Sequence, residues 1–194
     1  SGGYRVPNYD RTVSVVDLNT FKEERKIDVG INLHRCRADK YGQVWVTSRG
    51  DYFDIPSNLY WLQKDSNGEM QLAGALDVPV SELCIVGDSL YFYATEWSYT
   101  SGSNTVTYGI VNVKTHEVVS RQLSSAAEIG EIEHPYGIIV NPIDRDFYLM
   151  DAKNYVSSGE LLHFHADGTF DWRVSTGDIP AHAAFVFKTT EHER

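Results

Sequence analysis

The chain has 194 residues, of which 42% are hydrophobic, and its formal net charge is −10 at pH 7. This is enough apolar material for a packed core, which excludes global disorder, and no run approaches the roughly 18 consecutive apolar residues that a membrane-spanning helix needs. The acidic balance also argues against nucleic acid as the main partner, because phosphate backbones are bound by clustered positive charge.

The chain contains 2 cysteines, Cys36 and Cys84, which have neither CxxC nor metal-type spacing. They would form a disulfide only if neighbouring strands brought them together. We expect two buried free thiols instead, since an unpaired cysteine usually behaves as a small buried hydrophobe.

Short strands separated by turns follow one another along the chain, without the 3.6-residue period of an amphipathic helix. In chain order, the predicted strands are 14–20 in residues 1–30; 34–38, 43–47 and 58–64 in residues 31–80; 82–86, 89–93, 109–115 and 118–123 in residues 81–125; and 136–140, 146–150, 160–166 and 169–174 in residues 126–176. We also predict a weak strand in residues 4–12, a closing inner strand in residues 180–187, and a polar tail in residues 188–194.

These strands repeat in one order, which we label A to D from the inner to the outer strand. Leu18, Leu62, Val113 and Phe164 occupy one column of the C strands, roughly fifty residues apart. Four-stranded antiparallel units repeating at this spacing are typical of a β-propeller. The predicted fold class is therefore all-β, a propeller of four-stranded blades with about four blades present.

The chain length, divided by the length of one repeat, leaves three arrangements open. The chain could be a complete four-bladed ring, the C-terminal part of a larger ring of about seven blades, or half of a ring completed by a second copy. We favour the part of a larger ring. The final predicted A strand would then hide the free sheet edges, as ring closure does in propellers.

Two stretches of sequence carry a resemblance to a known family. The run Ser14-Val-Val-Asp-Leu-Asn-Thr-Phe21, followed by a D strand ending in Asp28-Val-Gly30, resembles the YncE-like repeat. The stretch 175–185 is similar to the C-terminus of bacterial surface-layer-type propellers of the same group. The later repeats depart from the pattern, because Trp61 and His163 stand where the first repeat has Asp17.

This resemblance covers nearly the whole chain, but its motifs are structural rather than catalytic. It implies an extracytoplasmic protein of the bacterial cell envelope or surface, with a lipoprotein anchor in the parent chain. The BtuG-type branch of the group captures corrinoids and passes them to an outer-membrane transporter. The resemblance therefore implies a corrinoid-like nutrient as a candidate ligand and a transporter as a candidate partner.

The strand order places the A–B and C–D loops on one face and the longer B–C and D–A loops on the other. Long loops usually persist because they serve a function. The predicted ligand-binding residues on the B–C loops are Arg49, Tyr52, Trp97, Tyr99, Lys153, Asn154 and Tyr155. Such aromatic side chains beside polar ones suit ligand recognition, although they could instead cap the seams between blades.

The starts of the A strands align His34, Glu82, Tyr136 and His182. In a closed ring these side chains would face the axis on the long-loop side, where His34, Tyr136 and His182 are further candidate binding residues. Zinc needs three or four ligands at about 2.0–2.2 Å, and splayed strands rarely bring side chains that close. We therefore expect a polar channel lining and no metal.

Weaker patterns point to no reaction. His163 and His165 share one face of a C strand near Asp167, an arrangement that could clip a metal, but we expect an exposed outer strand there. The sequence has neither the GxSxG motif of hydrolases nor the glycine-rich fingerprints of nucleotide sites.

The sequence thus predicts a non-catalytic binding propeller, without a cofactor, that takes a small molecule or docks on a transporter. Self-association is expected if the ring is incomplete. One alternative is a scaffold for protein partners. Another is a propeller lyase or hydrolase, in which His34, Glu82 and His182 would be the reacting groups.

Overall fold

The computed structural model describes residues 9–98 and 102–188, which form four antiparallel sheets. We number the blades I to IV along the chain. The strands are β1 (Thr12–Asp17) and β2 (Lys22–Asp28) in blade I; β3 (Leu33–Ala38), β4 (Val44–Ser48), β5 (Asn58–Lys64) and β6 (Met70–Ala75) in blade II; β7 (Glu82–Val86), β8 (Ser89–Ser98), β9 (Ser103–Asn112) and β10 (Glu117–Ser120) in blade III; and β11 (Pro135–Val140), β12 (Phe147–Asp151), β13 (Ser158–Phe164) and β14 (Phe170–Asp178) in blade IV.

Blades II, III and IV are four-stranded sheets in which each strand pairs with the next one along the chain, and blade I has two strands. A short 3-10 helix (Ala127–Glu131) precedes blade IV. This architecture confirms the predicted β-propeller class. Among the described residues there is no helix long and apolar enough to cross a membrane.

The chain divides into two compact units, the first ending at Ser125 and the second beginning at Ala126. Blades I to III belong to the first unit and blade IV to the second.

Short turns between strands are closed by Asp and Asn side chains. The Oδ1 atom of Asp39 accepts hydrogen bonds from the backbone N–H of Tyr41 at 2.8 Å and of Gln43 at 3.0 Å. Asn112 accepts in the same way from the two residues at positions 114 and 115. Because these bonds lie within a few residues, the turns form from local sequence and set the register of each hairpin.

The seam between blades II and III holds a large apolar cluster, which contains the fully buried Trp45. Trp45 Nε1 donates to Asp39 Oδ2 at 2.9 Å, so its polar atom is satisfied inside the core. His116 of blade III stacks on Trp61 of blade II with ring centroids 4.4 Å apart. The seam between blades I and II is smaller and is formed by Ile27, Val29, Val46 and Leu62.

The C-strand column is buried in blades II, III and IV but not in blade I. Leu18 is 79% exposed, whereas Leu62 is 1% exposed. In blade III, the equivalent Val113 is held under the A–B turn by a bond from its N–H to the carbonyl of Asp88, at 2.9 Å. The described part of blade I has no A–B turn to cover Leu18, because it consists of β1 and β2 only.

Two further expectations are corrected. Both cysteines are free, but Cys36 is exposed and Cys84 is half-buried, since β3 and β7 are edge strands with one sheet neighbour each. Residues 180–188 form no strand, although a closing inner strand was predicted at 180–187. A strand needs a hydrogen-bonded partner, and blade I presents only C and D strands in the described residues.

The segment after β14 packs by side-chain contact instead. The ring of Phe185 meets that of Tyr148 on β12 edge-on, with centroids 5.6 Å apart. The weak strand predicted at 4–12 lies mostly outside the described residues, as does most of the tail predicted at 188–194.

The burial of the repeat positions predicts that the same substitution lowers the free energy of unfolding by different amounts in different blades. We expect Leu62→Ala to lower the free energy of unfolding by about 3 kcal/mol, because it removes buried apolar contacts and leaves a cavity. Leu18→Ala, its counterpart in blade I, should change it by less than about 0.5 kcal/mol because the side chain is exposed. Urea unfolding followed by circular dichroism measures both, and equal losses would contradict the burial difference.

Candidate functional site

A cavity of about 690 Å³ opens between the B–C loops of blades II and III. Three of the residues predicted for binding line it: Arg49, Tyr52 and Trp97. Phe53, Ile55 and Glu96 line it as well. The long-loop side of these two blades therefore forms a concave site, and the volume falls in the range of about 300–1,000 Å³ that is usual for small-molecule pockets.

The wall from blade II is the loop between β4 and β5, which is organised by Asp51. Asp51 Oδ1 accepts from the backbone N–H of Phe53 at 2.9 Å and of Ile55 at 2.8 Å. These two N–H groups hold the pKa of Asp51 below its ordinary value. Gly50 has φ +63°, and a Cβ there would collide with the backbone of Ile55 and Pro56, so the turn requires glycine.

Tyr52 follows with φ +69°, a conformation that a bulky side chain rarely adopts. Its backbone is held there by the closed turn between Asp51 and Ile55, in which Asp51 N–H donates to the Ile55 carbonyl at 3.0 Å. Strained backbone of this kind persists where surrounding contacts impose it and is frequent at binding sites. The loop thus directs Tyr52 and Phe53 to the cavity.

The opposite wall is a hairpin, at the place where the sequence predicted a long B–C loop. Strands β8 and β9 each run for 10 residues and pair as far as Ser98 with Ser103, so that Trp97 lies opposite Asn104. This pairing holds Trp97 in place, although its side chain is 55% exposed. Tyr99, the other aromatic residue predicted here, lies outside the described residues.

Arg49 is positioned by His34 of the neighbouring inner strand. Arg49 Nη2 lies 2.9 Å from His34 Nε2. A guanidinium can only donate, so His34 accepts through Nε2 and carries its proton on Nδ1. Burial of the ring lowers the pKa of His34 to about 4, aided by the charges of Arg49 and Arg35 and opposed by Glu82. His34 is therefore neutral at pH 7, and Arg49 is the cation at this end of the cavity.

Glu82, the second axial residue, is engaged by arginines. Its carboxylate is buried and accepts from Arg35 Nε at 2.5 Å, while Arg37 Nη2 lies 3.5 Å away. These pairs join β3 of blade II to β7 of blade III. The charge of Glu82 acts on the pKa of His34, but the carboxylate itself is paired with Arg35 and Arg37 and so joins two blades.

The remaining predicted residues belong to the second unit. Lys153 Nζ lies 2.9 Å from Glu160 Oε2 and 3.2 Å from Asp151 Oδ2, and it is mostly buried. Asn154 Oδ1 closes its own turn by accepting from the N–H groups of Val156 and Ser157. Lys153 and Asn154 thus both stabilise their own loop.

Asp151 is the centre of that loop and is fully buried. Burial raises its pKa, but the backbone N–H groups of His134, Lys153 and Glu133 outweigh this effect and hold the pKa below its ordinary value. Beside it, the ring of Tyr155 contacts those of His134 and Tyr136, with centroids 5.0 Å and 5.7 Å away, respectively. His182 is exposed in the segment that follows β14.

The cavity also contains residues that sequence reasoning missed. Val80 and Ser81, in the connection between β6 and β7, line its floor. The Ser81 hydroxyl accepts from the N–H of Thr95 at 3.0 Å and so joins the floor to the hairpin wall. The sequence marked these two residues only by their position directly before the A strand of blade III.

The Glu82 network makes a stability prediction. Glu82→Ala should lower the free energy of unfolding by about 2 kcal/mol, because it leaves two guanidinium groups at the blade seam without their carboxylate. The loss is smaller than for a fully buried pair because both arginines are partly solvated. Glu117→Ala on the exposed side of β10 is the control, with an expected change below about 0.5 kcal/mol in the same urea titration.

The His34 environment predicts a titration. A proton-resonance titration of the imidazole should give a midpoint near pH 4, and Arg49→Ala should move it towards 6.5 by removing one of the charges that depress it. Because the folded pKa lies below that of the unfolded chain, His34 makes stability fall as the pH drops from about 6.5 to about 4. A midpoint near 6.5 in the unmodified chain would contradict the contact with Arg49.

No protein-family model matches the chain, and no curated protein matches it. Among solved structures, hydrazine synthase of Kuenenia stuttgartiensis is similar, with a TM-score of 0.57 and 16% sequence identity over 86% of this chain and 48% of that chain. The N-terminal domain of Nup159 has a TM-score of 0.42 and 12% identity, over 80% of this chain and 34% of that chain. The chain thus spans about half the length of the first and about a third of the second.

At such low identity, the likeness to hydrazine synthase concerns the fold alone. It agrees with the sheet order of blades II to IV, in which consecutive antiparallel strands build one blade after another. The chain is a β-propeller, with three four-stranded antiparallel blades and one two-stranded sheet in the described residues.

Proposed function

We propose that the cavity between blades II and III binds a small amphipathic molecule, and that the protein acts by binding rather than by catalysis. The observation that carries this proposal is the pairing of exposed aromatic side chains with a cation inside one concave site. Trp97 and Phe53 line the cavity while 55% and 60% exposed, so each can cover a ligand by giving up contact with water.

The charge of the site favours an anionic or strongly hydrogen-bond-accepting group on that ligand. Among residues 9–98 and 102–188, no carboxylate lies within ion-pair distance of Arg49, which the neutral His34 holds in place. A positioned guanidinium donates two parallel hydrogen bonds to a carboxylate or phosphate. Glu96 at the opposite wall could pair with a donor group on the same molecule.

The axial residues support binding over catalysis. Glu82 is occupied by Arg35 and Arg37, and the lone pair of His34 faces the guanidinium of Arg49. A general base must reach the proton that it abstracts, and neither group presents a vacant acceptor to the cavity in this arrangement.

We propose a corrinoid as the first ligand to test, and the bacterial cell envelope as the site of action. Both follow from the resemblance of residues 14–30 and 175–185 to YncE-like and surface-layer-type propellers. A corrinoid combines a flat macrocycle with polar substituents at its edge, which is the chemistry that aromatic walls and a guanidinium recognise.

A second candidate function is docking of a protein partner on the same loops. Tyr52, Phe53 and Ile55 all belong to one loop and all have exposed side chains. Exposed aromatic residues grouped in this way are typical of interface hot spots. Under this hypothesis the partner would be a protein such as a membrane transporter, and the concave site would receive one of its side chains.

Calorimetric titration with cyanocobalamin tests the first proposal. We expect saturable binding at one site, and at least a tenfold weaker affinity for Trp97→Ala, because the variant loses the aromatic wall. Arg49→Ala should weaken binding to a similar extent. Both variants should unfold at nearly the same temperature as the parent chain, since both side chains are exposed.

Phe21→Ala is the matched control, because Phe21 is also an exposed aromatic residue but lies in the β1–β2 turn outside the cavity. Its affinity should equal that of the parent chain. If a folded protein gives no heat of binding, the corrinoid hypothesis is rejected. Docking of a protein partner then becomes the leading hypothesis. A large loss of thermal stability in Trp97→Ala would instead make Trp97 a packing residue.

A further inference from the structure

Blade IV brings together two histidines and two aspartates from three parts of its sheet. Asp146 directly precedes β12, His163 is on β13, His165 follows β13, and Asp171 is on β14. His163 Nε2 lies 2.9 Å from Asp146 Oδ2, and His165 Nδ1 lies 3.1 Å from the same oxygen. On its other side, His163 Nδ1 lies 2.9 Å from Asp171 Oδ2.

The arrangement of His163 calls for a cation. Both of its ring nitrogens face carboxylate oxygens, but a neutral imidazole carries one N–H and can donate to only one of them. The side chain is buried, so water does not readily compensate the other contact. A further proton, on the ring or on a carboxylate, or a metal ion bound to one ring nitrogen would satisfy both contacts, and His165 converges on the Nε2 side.

We propose that Asp146, His163 and His165 form a binding site for a divalent transition-metal ion of the zinc class. In the part of the chain that the structure describes, they are the one group of three ligands whose donor atoms all lie within 4.8 Å of one another. Donors held about 2.0–2.2 Å from a tetrahedral zinc ion are about 3.4 Å apart, so small side-chain rotations would enclose the ion.

Asp171 completes the site from outside the ligand shell. A metal-binding histidine commonly donates its second ring N–H to a carboxylate, which fixes the tautomer and the ring orientation. With the metal on Nε2, His163 Nδ1–H would donate to Asp171. Tyr148 stacks on the same ring, with centroids 4.5 Å apart and planes 16° from parallel, and so holds the orientation.

Blade packing does not require this set of residues. In blade II the positions equivalent to Asp146, His163 and His165 hold Gln43, Trp61 and Gln63, and that blade forms the same four-stranded sheet. Blade IV thus carries ligands where blade II carries none. The mixture of imidazole and carboxylate suits zinc, nickel, cobalt or copper, whereas magnesium and calcium prefer oxygen ligands alone.

The site corrects the sequence expectation in two respects. His163 is buried rather than exposed, because its ring packs against those of Tyr148 and Trp172 and both of its nitrogens contact carboxylates. The acid expected nearby, Asp167, instead accepts hydrogen bonds from the N–H and hydroxyl of Thr169 and closes a turn. With three protein ligands and a half-exposed His165, the fourth coordination position would be open to water or a substrate.

Calorimetric titration of the metal-stripped full chain with ZnCl₂ tests this site. We expect binding of one Zn²⁺ per chain, and at least a tenfold weaker affinity for His165→Gln, which installs the residue that blade II has. Asp146→Asn should have a similar effect. Substitution by Co²⁺ adds a direct readout, because visible absorption bands of four-coordinate cobalt should appear in the parent chain and be lost in both variants.

Asp167→Asn is the control, since it removes one negative charge, as Asp146→Asn does, but from the turn after His165 and without changing a proposed ligand. It should bind Zn²⁺ as the parent chain does. His165 is half-exposed, so its variant should stay folded, as thermal unfolding can verify. Unchanged zinc affinity in His165→Gln, an equal loss in Asp167→Asn, or no binding by the folded parent chain would overturn the proposal.

Discussion

The structure depends on covering the faces of its blades. A four-stranded antiparallel sheet has two faces, and in a propeller each face must be buried against the neighbouring blade. Between blades II and III this is done by the cluster around Trp45, with the stacked pair of Trp61 and His116 beside it. The Glu82 carboxylate and its two arginines join the inner strands of the same blades. The B–C loops are therefore held by a rigid seam, which is what allows exposed aromatic side chains to form a cavity.

The strands could be predicted because their signals are local. Segments 58–64 and 82–86 were predicted with the bounds that the structure has, since apolar runs and the Asp or Asn of each turn lie within a few residues. The extension of β8 and β9 could not be predicted, because it results from cross-strand pairing of polar residues such as Glu96 with Thr105. The absent closing strand depends in turn on a partner that local sequence does not reveal.

Part of the candidate site could be predicted because its signals, too, are local in sequence. Loop length and aromatic content identified Arg49, Tyr52 and Trp97, which do line the cavity. Lys153 and Asn154 have the same kind of residue and loop, but their side chains are used by Asp151, Glu160 and the turn itself. Only three-dimensional contacts separate the two cases. The Asp146 and Asp171 contacts of His163 are another example, because residues 17 and 8 positions away supply them.

The placement of the tryptophans has a consequence for spectroscopy. Trp45 is fully enclosed at the blade seam, whereas Trp97 stands half in water at the cavity wall. Their indole rings therefore sense different surroundings, one apolar and fixed, the other polar and accessible to a dissolved collision quencher such as iodide. Of the four tryptophans that contribute to the intrinsic fluorescence of the chain, Trp45 thus reports on the integrity of the core and Trp97 on occupancy of the loops.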